Sequence, residues 1–198
     1  VPFAPPRILH FNYVYELPVG KGRHFASRMP AVAEAVLGGW TISGLSTWQS
    51  GYGLTPTSPG QSPTGATANR ANRVADGRLD HGGKSRSENA ARWLDTAAFQ
   101  VPAFINPGVP QPVRQFGSSG IGVIPGPNFF NYDMSVSKQF AVHERSRLIL
   151  RGEMLNPFNI PMLGIPDLDA SSATFGVIRV SNPDYNPRSV QASLRLEF

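Results

Sequence analysis

The segment from Arg188 to Phe198 constrains this chain more than any other. Val190, Ala192, Leu194, Leu196 and Phe198 alternate there with Ser189, Gln191, Ser193, Arg195 and Glu197. Successive side chains of a strand point to opposite faces, so one face is wholly apolar and the other wholly polar. Such a strand needs two different surroundings. A membrane barrel provides hydrocarbon on one side and a wet lumen on the other. A soluble sandwich provides a dry core and water, so recurrence elsewhere in the chain matters.

The alternation recurs. Leu9, Phe11, Tyr13, Tyr15 and Leu17 share one face, opposed by His10, Asn12 and Glu16, with Ile8 and Val14 as exceptions. Trp40, Ile42, Gly44, Trp48, Tyr52 and Leu54 oppose Thr41, Ser43, Thr47, Gln49 and Thr55. Phe130, Tyr132, Met134, Val136 and Phe140 oppose Asn131, Asp133, Ser135, Ser137 and Gln139. Lys138 falls in that apolar register near the strand end, where a lysine is expected to snorkel. Leu148, Leu150, Gly152 and Met154 alternate with Arg147, Ile149, Arg151 and Glu153. Strands are therefore predicted near 7–18, 40–56, 129–141, 146–158 and 188–198, as an antiparallel up-and-down meander of about five strands in an all-β fold.

Connection lengths alternate as well. His143-Glu144-Arg145-Ser146 reads as a tight turn, whereas 57–128 and 159–187 are long. The link from Val19 to Gly39 holds Pro30 to Leu37, a short predicted helix closed by Gly38-Gly39. Bacterial barrels keep short turns on the periplasmic side and long loops outside. This parity makes 143–146 and 19–39 periplasmic, and 57–128 and 159–187 exterior. Trp40, Tyr52, Phe130, Phe140 and Phe198, near strand ends, would form interface girdles. Within 57–128, the stretch Ser87 to Leu94 reads as a Ser-capped short helix.

Composition narrows the classes. The 198 residues include 20 Gly and 19 Pro, which suits a turn-rich β chain. No Cys is present, which excludes disulfides and thiolate metal sites. The formal charge is +5, but Lys and Arg form no run or stripe, so no nucleic-acid partner is expected. No apolar stretch approaches the ~20 residues of a transmembrane helix. The mean hydropathy of −0.19 is compatible with barrel strands, half of whose residues face water.

Chemistry-bearing motifs are weak. Gly82-Gly83-Lys84-Ser85 resembles half a phosphate loop, but Arg78 stands where that motif needs Gly. His10, His24, His81 and His143 show no metal-ligand spacing. Asp167 and Asp169 lack the Gly and distal Glu of a calcium loop, and read as a solvated outer loop. No nucleophile elbow occurs. The expectation is no catalytic residue, no metal, no cofactor, and a non-enzymatic role. His10, Asn12, Glu16, Asp133, Arg151, Glu153, Arg195 and Glu197 are the candidate lumen-facing residues. Arg151, Glu153, Arg195 and Glu197 read more simply as a cross-strand charge ladder than as a surface touched by plug or solute.

Several ordered segments resemble the C-terminal barrel of TonB-dependent outer-membrane receptors, most closely the Oar-like group with a carboxypeptidase-regulatory-like domain. They are Tyr15 to Arg23, Gly38 to Gly44, Gln49 to Tyr52, Asn69 to Asn72, Trp93 to Phe99, Gly126 to Asp133, Arg151 to Asn159 and Asn186 to Gln191. The resemblance implies a barrel of about 22 strands closed round a plug, with uptake of a solute energised by TonB. It implies outer-membrane lipid, the remaining barrel strands, the plug and the TonB system as partners. It also implies that Val190, Ala192, Leu194, Leu196 and Phe198 act as an assembly signal read by the barrel-assembly machinery. Single-chain bacterial barrels use even strand numbers from about eight upward, and five cannot close. The opening Val-Pro-Phe-Ala-Pro-Pro has neither the charged start nor the apolar run of a signal peptide. The chain is thus expected to be the C-terminal piece of such a receptor in the outer membrane of a Gram-negative-type bacterium. The competing expectations are a soluble all-β binding module of sandwich type and, behind it, a secreted β enzyme.

Overall fold

The computed structural model describes residues 5–60, 62–65, 68–108, 113–143, 146–185 and 187–198. The alternating segments form one five-stranded sheet: β1 (Ile8–Glu16), β2 (Trp40–Gln49), β3 (Phe129–His143), β4 (Ser146–Leu155) and β5 (Ser189–Glu197). They are neighbours in chain order, β1-β2-β3-β4-β5, which is the predicted meander. The barrel is not closed by these strands.

Register follows side-chain chemistry. Leu148, Leu150, Gly152 and Met154 of β4 face Leu196, Leu194, Ala192 and Val190 of β5. On the other side they face Phe140, Lys138, Val136 and Met134 of β3. Cross-strand partners lie on the same face, so apolar rows run unbroken over three strands apart from Lys138. Each favourable pair contributes roughly 0.2–1 kcal/mol. A slip of one residue would exchange both faces, which pins the register. No second sheet covers the apolar face among the described residues. Leu9 is 62% exposed, Phe11 59%, Leu194 65% and Leu196 55%. The sandwich expectation required these side chains to be packed away.

Strand ends depart from the alternation where backbone chemistry intervenes. β2 stops at Gln49 rather than continuing to 56. At Gly51 the chain passes so close to Gly126 that a Cβ would lie 1.8 Å from its carbonyl oxygen. Gly53–Leu54 then pairs with Ile124–Pro125, outside the large sheet. Leu54 is buried, and Tyr52 is not a girdle residue on β2, although both keep the apolar register. β4 stops at Leu155 because Asn156 and Asn159 adopt positive φ of 45° and 48°. Asn tolerates that region better than most residues. The Asn156 side chain accepts from the Ile160 amide at 3.0 Å, which locks the turn. In the tight turn after His143, Glu144 and Arg145 lie outside the described residues.

The chain divides into two units: residues 9–48, 130–161 and 186–198 carry the sheet, and residues 1–8, 49–129 and 162–185 form the other. The first also holds α1 (Ala31–Leu37), where the sequence places it. The second has a dry core of Leu54, Ala71, Trp93, Leu94, Ala98, Phe99, Ile124, Phe175 and Ile178. Fully burying one such large side chain contributes about 1.5–3 kcal/mol. The Trp93 indole donates to the Pro125 carbonyl at 2.8 Å, and the His81 ring stacks on it at 3.9 Å. Short strand pairs Thr57–Pro59 with Ala68–Arg70 and Asn72–Arg73 with Phe99–Gln100 frame this core. The predicted helix is α2 (Arg86–Ala91), and its cap is Ser85 rather than Ser87. Glu88 stands three residues after Ser85, the spacing of a capping box, and accepts from the Ser85 amide at 2.7 Å.

Candidate functional site

Two surfaces are candidate sites, one in each unit. The first is the polar face of the sheet. Strand geometry places every odd residue of β3, β4 and β5 on it. Several of its side chains are hydrogen-bonded. His10 Nδ1 and Thr47 share a hydrogen bond of 3.0 Å, and Ser43 and Ser135 share one of 2.7 Å. Asp133 accepts from the Asn131 side-chain amide at 2.8 Å and from the Asn156 backbone amide at 3.0 Å. Glu16 pairs with Arg23 at 2.7 Å.

The charged residues pair mainly along strands, not across them. Arg151 meets Glu153 at 2.9 Å, two residues away on β4. Arg195 meets Glu197 at 3.3 Å on β5. The cross-strand link is Arg147 to Glu197 at 3.4 Å. The register sets Arg151 opposite Ser193 and Glu153 opposite Gln191, so the expected ladder has no opposite charges to join at those rungs. Arg147 belongs with the charged candidates, and its place in the polar register was the signal for it.

Of the candidates, Asn12, Asp133, Arg151 and Glu153 line one shallow trough of about 370 Å³ together with Ser43 and Ser135. His10 and Glu16 sit towards opposite ends of β1, and Arg195 and Glu197 towards the end of β5. The trough offers donors and acceptors of both charges without a nucleophile poised on a base. Among the described residues, no group of three or more His, Cys, Asp or Glu is arranged to hold a metal ion. Its chemistry is hydrogen bonding to water, backbone or a polar solute.

The opposite face carries an aromatic band. The Tyr13 ring lies across β2 at Gly44, where a Cβ would come within 2.6 Å of it. Its hydroxyl shares a 2.5 Å hydrogen bond with Tyr132 on β3, and Tyr132 packs on Phe158 at 5.6 Å between ring centroids. Phe11 lies 6.0 Å from Tyr13 on the same face.

The second surface is a cavity of about 300 Å³ in the dry-cored unit. Tyr52, Leu54, Phe129, Leu163, Ile165 and Asp184 are among the residues lining it. These come from four separated stretches, so no local sequence pattern marked it. The Asp167 carboxylate accepts from the Asp169 amide at 3.0 Å and the Thr174 hydroxyl at 2.7 Å. Hydrogen bonding from Ser172, then from the Asp169 amide and Thr174, and the Arg179 charge hold it below the usual carboxylate range against its partial burial. Its oxygens shape the loop's turn.

A family model described as "Outer membrane beta barrel domain" matches residues 2–191. No curated protein and no solved structure matches the chain.

Proposed function

The chain belongs to the outer membrane beta barrel domain family, and on that footing we propose that it forms part of the barrel wall of a TonB-dependent receptor, which takes up a solute across the outer membrane. Its location is the outer membrane, with lipid against the apolar rows. The observation that carries the reading is the two-faced sheet: apolar rows that run across β3, β4 and β5 save at Lys138 and lie exposed on β1 and β5, with polar groups on the other side. That division suits a wall between hydrocarbon and a wet lumen.

The finer assignment to the Oar-like group rests on the ordered motifs from Tyr15 to Gln191. In this reading, His10, Asn12, Glu16, Asp133, Arg151, Glu153, Arg195 and Glu197 face the lumen and the plug. The connections from β2 to β3 and from β4 to β5 leave the same end of the meander, and carry the solute contacts outside. Val190, Ala192, Leu194, Leu196 and Phe198 are read during assembly. The protein works by shape, lumen polarity and energy delivered by TonB, without turning over a substrate.

The test is uptake by the intact receptor in cells with and without TonB. Accumulation of the solute should require TonB and collapse with the proton gradient. Entry that is indifferent to both would make the barrel a passive pore or an adhesive surface, and would sink the receptor reading.

A further inference from the structure

α1 is turned inside out for a helix in water. Val32, Val36 and Leu37 are 78%, 60% and 56% exposed. Val32 and Val36 stand four residues apart on one face. Ala33 and Glu34 are its half-buried positions, and Ala31, Glu34 and Ala35 line a recess with Lys138 and Phe140 of β3. Phe25, in the same link, is 57% exposed. Lys21 and Arg28 are exposed around it, while Arg23 is tied to Glu16 at 2.7 Å.

Lys138 does not snorkel. It is 3% exposed, and its ammonium donates to the carbonyls of Glu34, at 3.1 Å, and of Gly38. It also lies 5.5 Å from the Trp40 ring centroid and 5.1 Å from that of Phe140. The Glu34 carbonyl already accepts the Gly38 amide at 3.0 Å, so Lys138 gives it a second donor and bonds the Gly38 carbonyl just past the helix end. Burying an ammonium costs several kcal/mol unless good acceptors surround it. A cation held at the end of a helix takes places on its carbonyls that water would otherwise fill, which is useful where water is scarce. Lys138 and Phe140 share the apolar face with the rows of β4 and β5, so the link bearing α1 abuts the face that meets lipid. Trp40 extends that edge, its indole donating to the Val36 carbonyl at 2.8 Å.

We infer that α1 is a membrane-interface anchor. Val32, Val36, Leu37 and Phe25 enter the boundary between acyl chains and headgroups of a phospholipid leaflet, and the flanking cations meet its phosphates. The helix continues the lipid contact of the sheet beyond the ends of β1 and β2, with Lys138 holding it there. A short helix with an apolar outer face and cationic flanks fits that depth. The inference rests on the barrel reading for the sheet itself, not on TonB.

The test uses single cysteines in the intact parent barrel, with any cysteine outside these residues replaced; the 198 residues contain none. An environment-sensitive fluorophore is placed at Val36→Cys, at Leu194→Cys on the apolar face, and at Ala91→Cys in α2. The barrel is inserted into phosphatidylethanolamine–phosphatidylglycerol vesicles carrying nitroxide lipids. The Val36 label should be blue-shifted and quenched most by nitroxides near the headgroups. The Leu194 label should respond most to deeper nitroxides, and the Ala91 label should stay water-like. Water-like, unquenched emission at Val36 with quenching intact at Leu194 would overturn the anchor and leave the barrel standing. Loss of quenching at both would overturn both. Lys138→Met keeps an apolar side chain but removes the tie, and should release the Val36 label to water with Leu194 unaffected. Unchanged quenching at Val36 would refute the role given to Lys138.

Discussion

The sheet and the dry-cored unit obey opposite rules of burial within one chain. Leu94 and Phe99 are 0% and 5% exposed, whereas Leu194 and Phe11 are 65% and 59% exposed. Both units satisfy their backbone by pairing strands. They differ in where the oily side chains go, and hence in the solvent each is built to meet. Water drives Leu94 inward through the hydrophobic effect. Hydrocarbon asks nothing of Leu194 except that no polar group stand in its place. An exposed leucine is thus informative only beside its neighbours, and here whole rows of them agree.

Five measurements would break or sharpen this contrast. The largest effect is expected from deleting Phe198 in the complete barrel. Most correctly inserted, heat-modifiable barrel should be lost, since the sheet has no core of its own to drive folding in water. Normal amounts of heat-modifiable protein would refute the role in assembly proposed for the terminal residue. Next, Leu94→Ala should destabilise the dry-cored unit by about 2–5 kcal/mol, read as faster proteolysis there. Leu194→Ala should change folding into vesicles far less, and equal sensitivity would erase the distinction between the units. Third, Leu194→Arg should cost about 2–4 kcal/mol near mid-membrane, whereas Ser193→Arg on the opposite face should cost much less. Denaturant titrations in vesicles measure both, and a reversed order would invert the faces. Fourth, Ser85→Ala should remove the cap of α2 and about 1 kcal/mol of local stability, seen as faster amide exchange at residues 86–91 only.

The smallest effect concerns acid. Asp167 is held below the ordinary carboxylate range in the folded loop, chiefly by Ser172. A carboxylate lowered on folding binds its proton more readily when unfolded. Its contribution is present above the unfolded value of about 4 and fades as pH falls through the lower folded value. The dry-cored unit should loosen at acid pH, and Asp167→Asn should flatten that dependence in a proteolysis profile. A profile unchanged by the substitution would locate the acid response elsewhere.

What was legible before the structure was whatever the chain encodes locally. Period-two alternation is a property of neighbours, so β1, β3, β4 and β5 and their faces could be read directly. The end of β2 could not, because Tyr52 and Leu54 continue the same alternation. The approach of Gly51 to Gly126 ends the strand, and no local pattern reveals contact between residues so far apart. Lys138 was misplaced for a similar reason. Its acceptors, on Glu34 and Gly38, lie about a hundred residues away in sequence. Strand-end position alone suggested a route to water. The charged residues read as a cross-strand ladder, but their partners depend on register. The dry core escaped altogether, since Leu54, Leu94, Ile124 and Ile178 come from turn-rich segments with no period.

The tyrosine that lies flat over Gly44 has a mechanical consequence. Its hydroxyl grips Tyr132 one strand further on, so three staves are riveted by a single side chain. The bore of a barrel depends on the stagger between its strands. A rivet that opposes sliding favours a constant bore at this place, whatever rearrangement the long loops undergo.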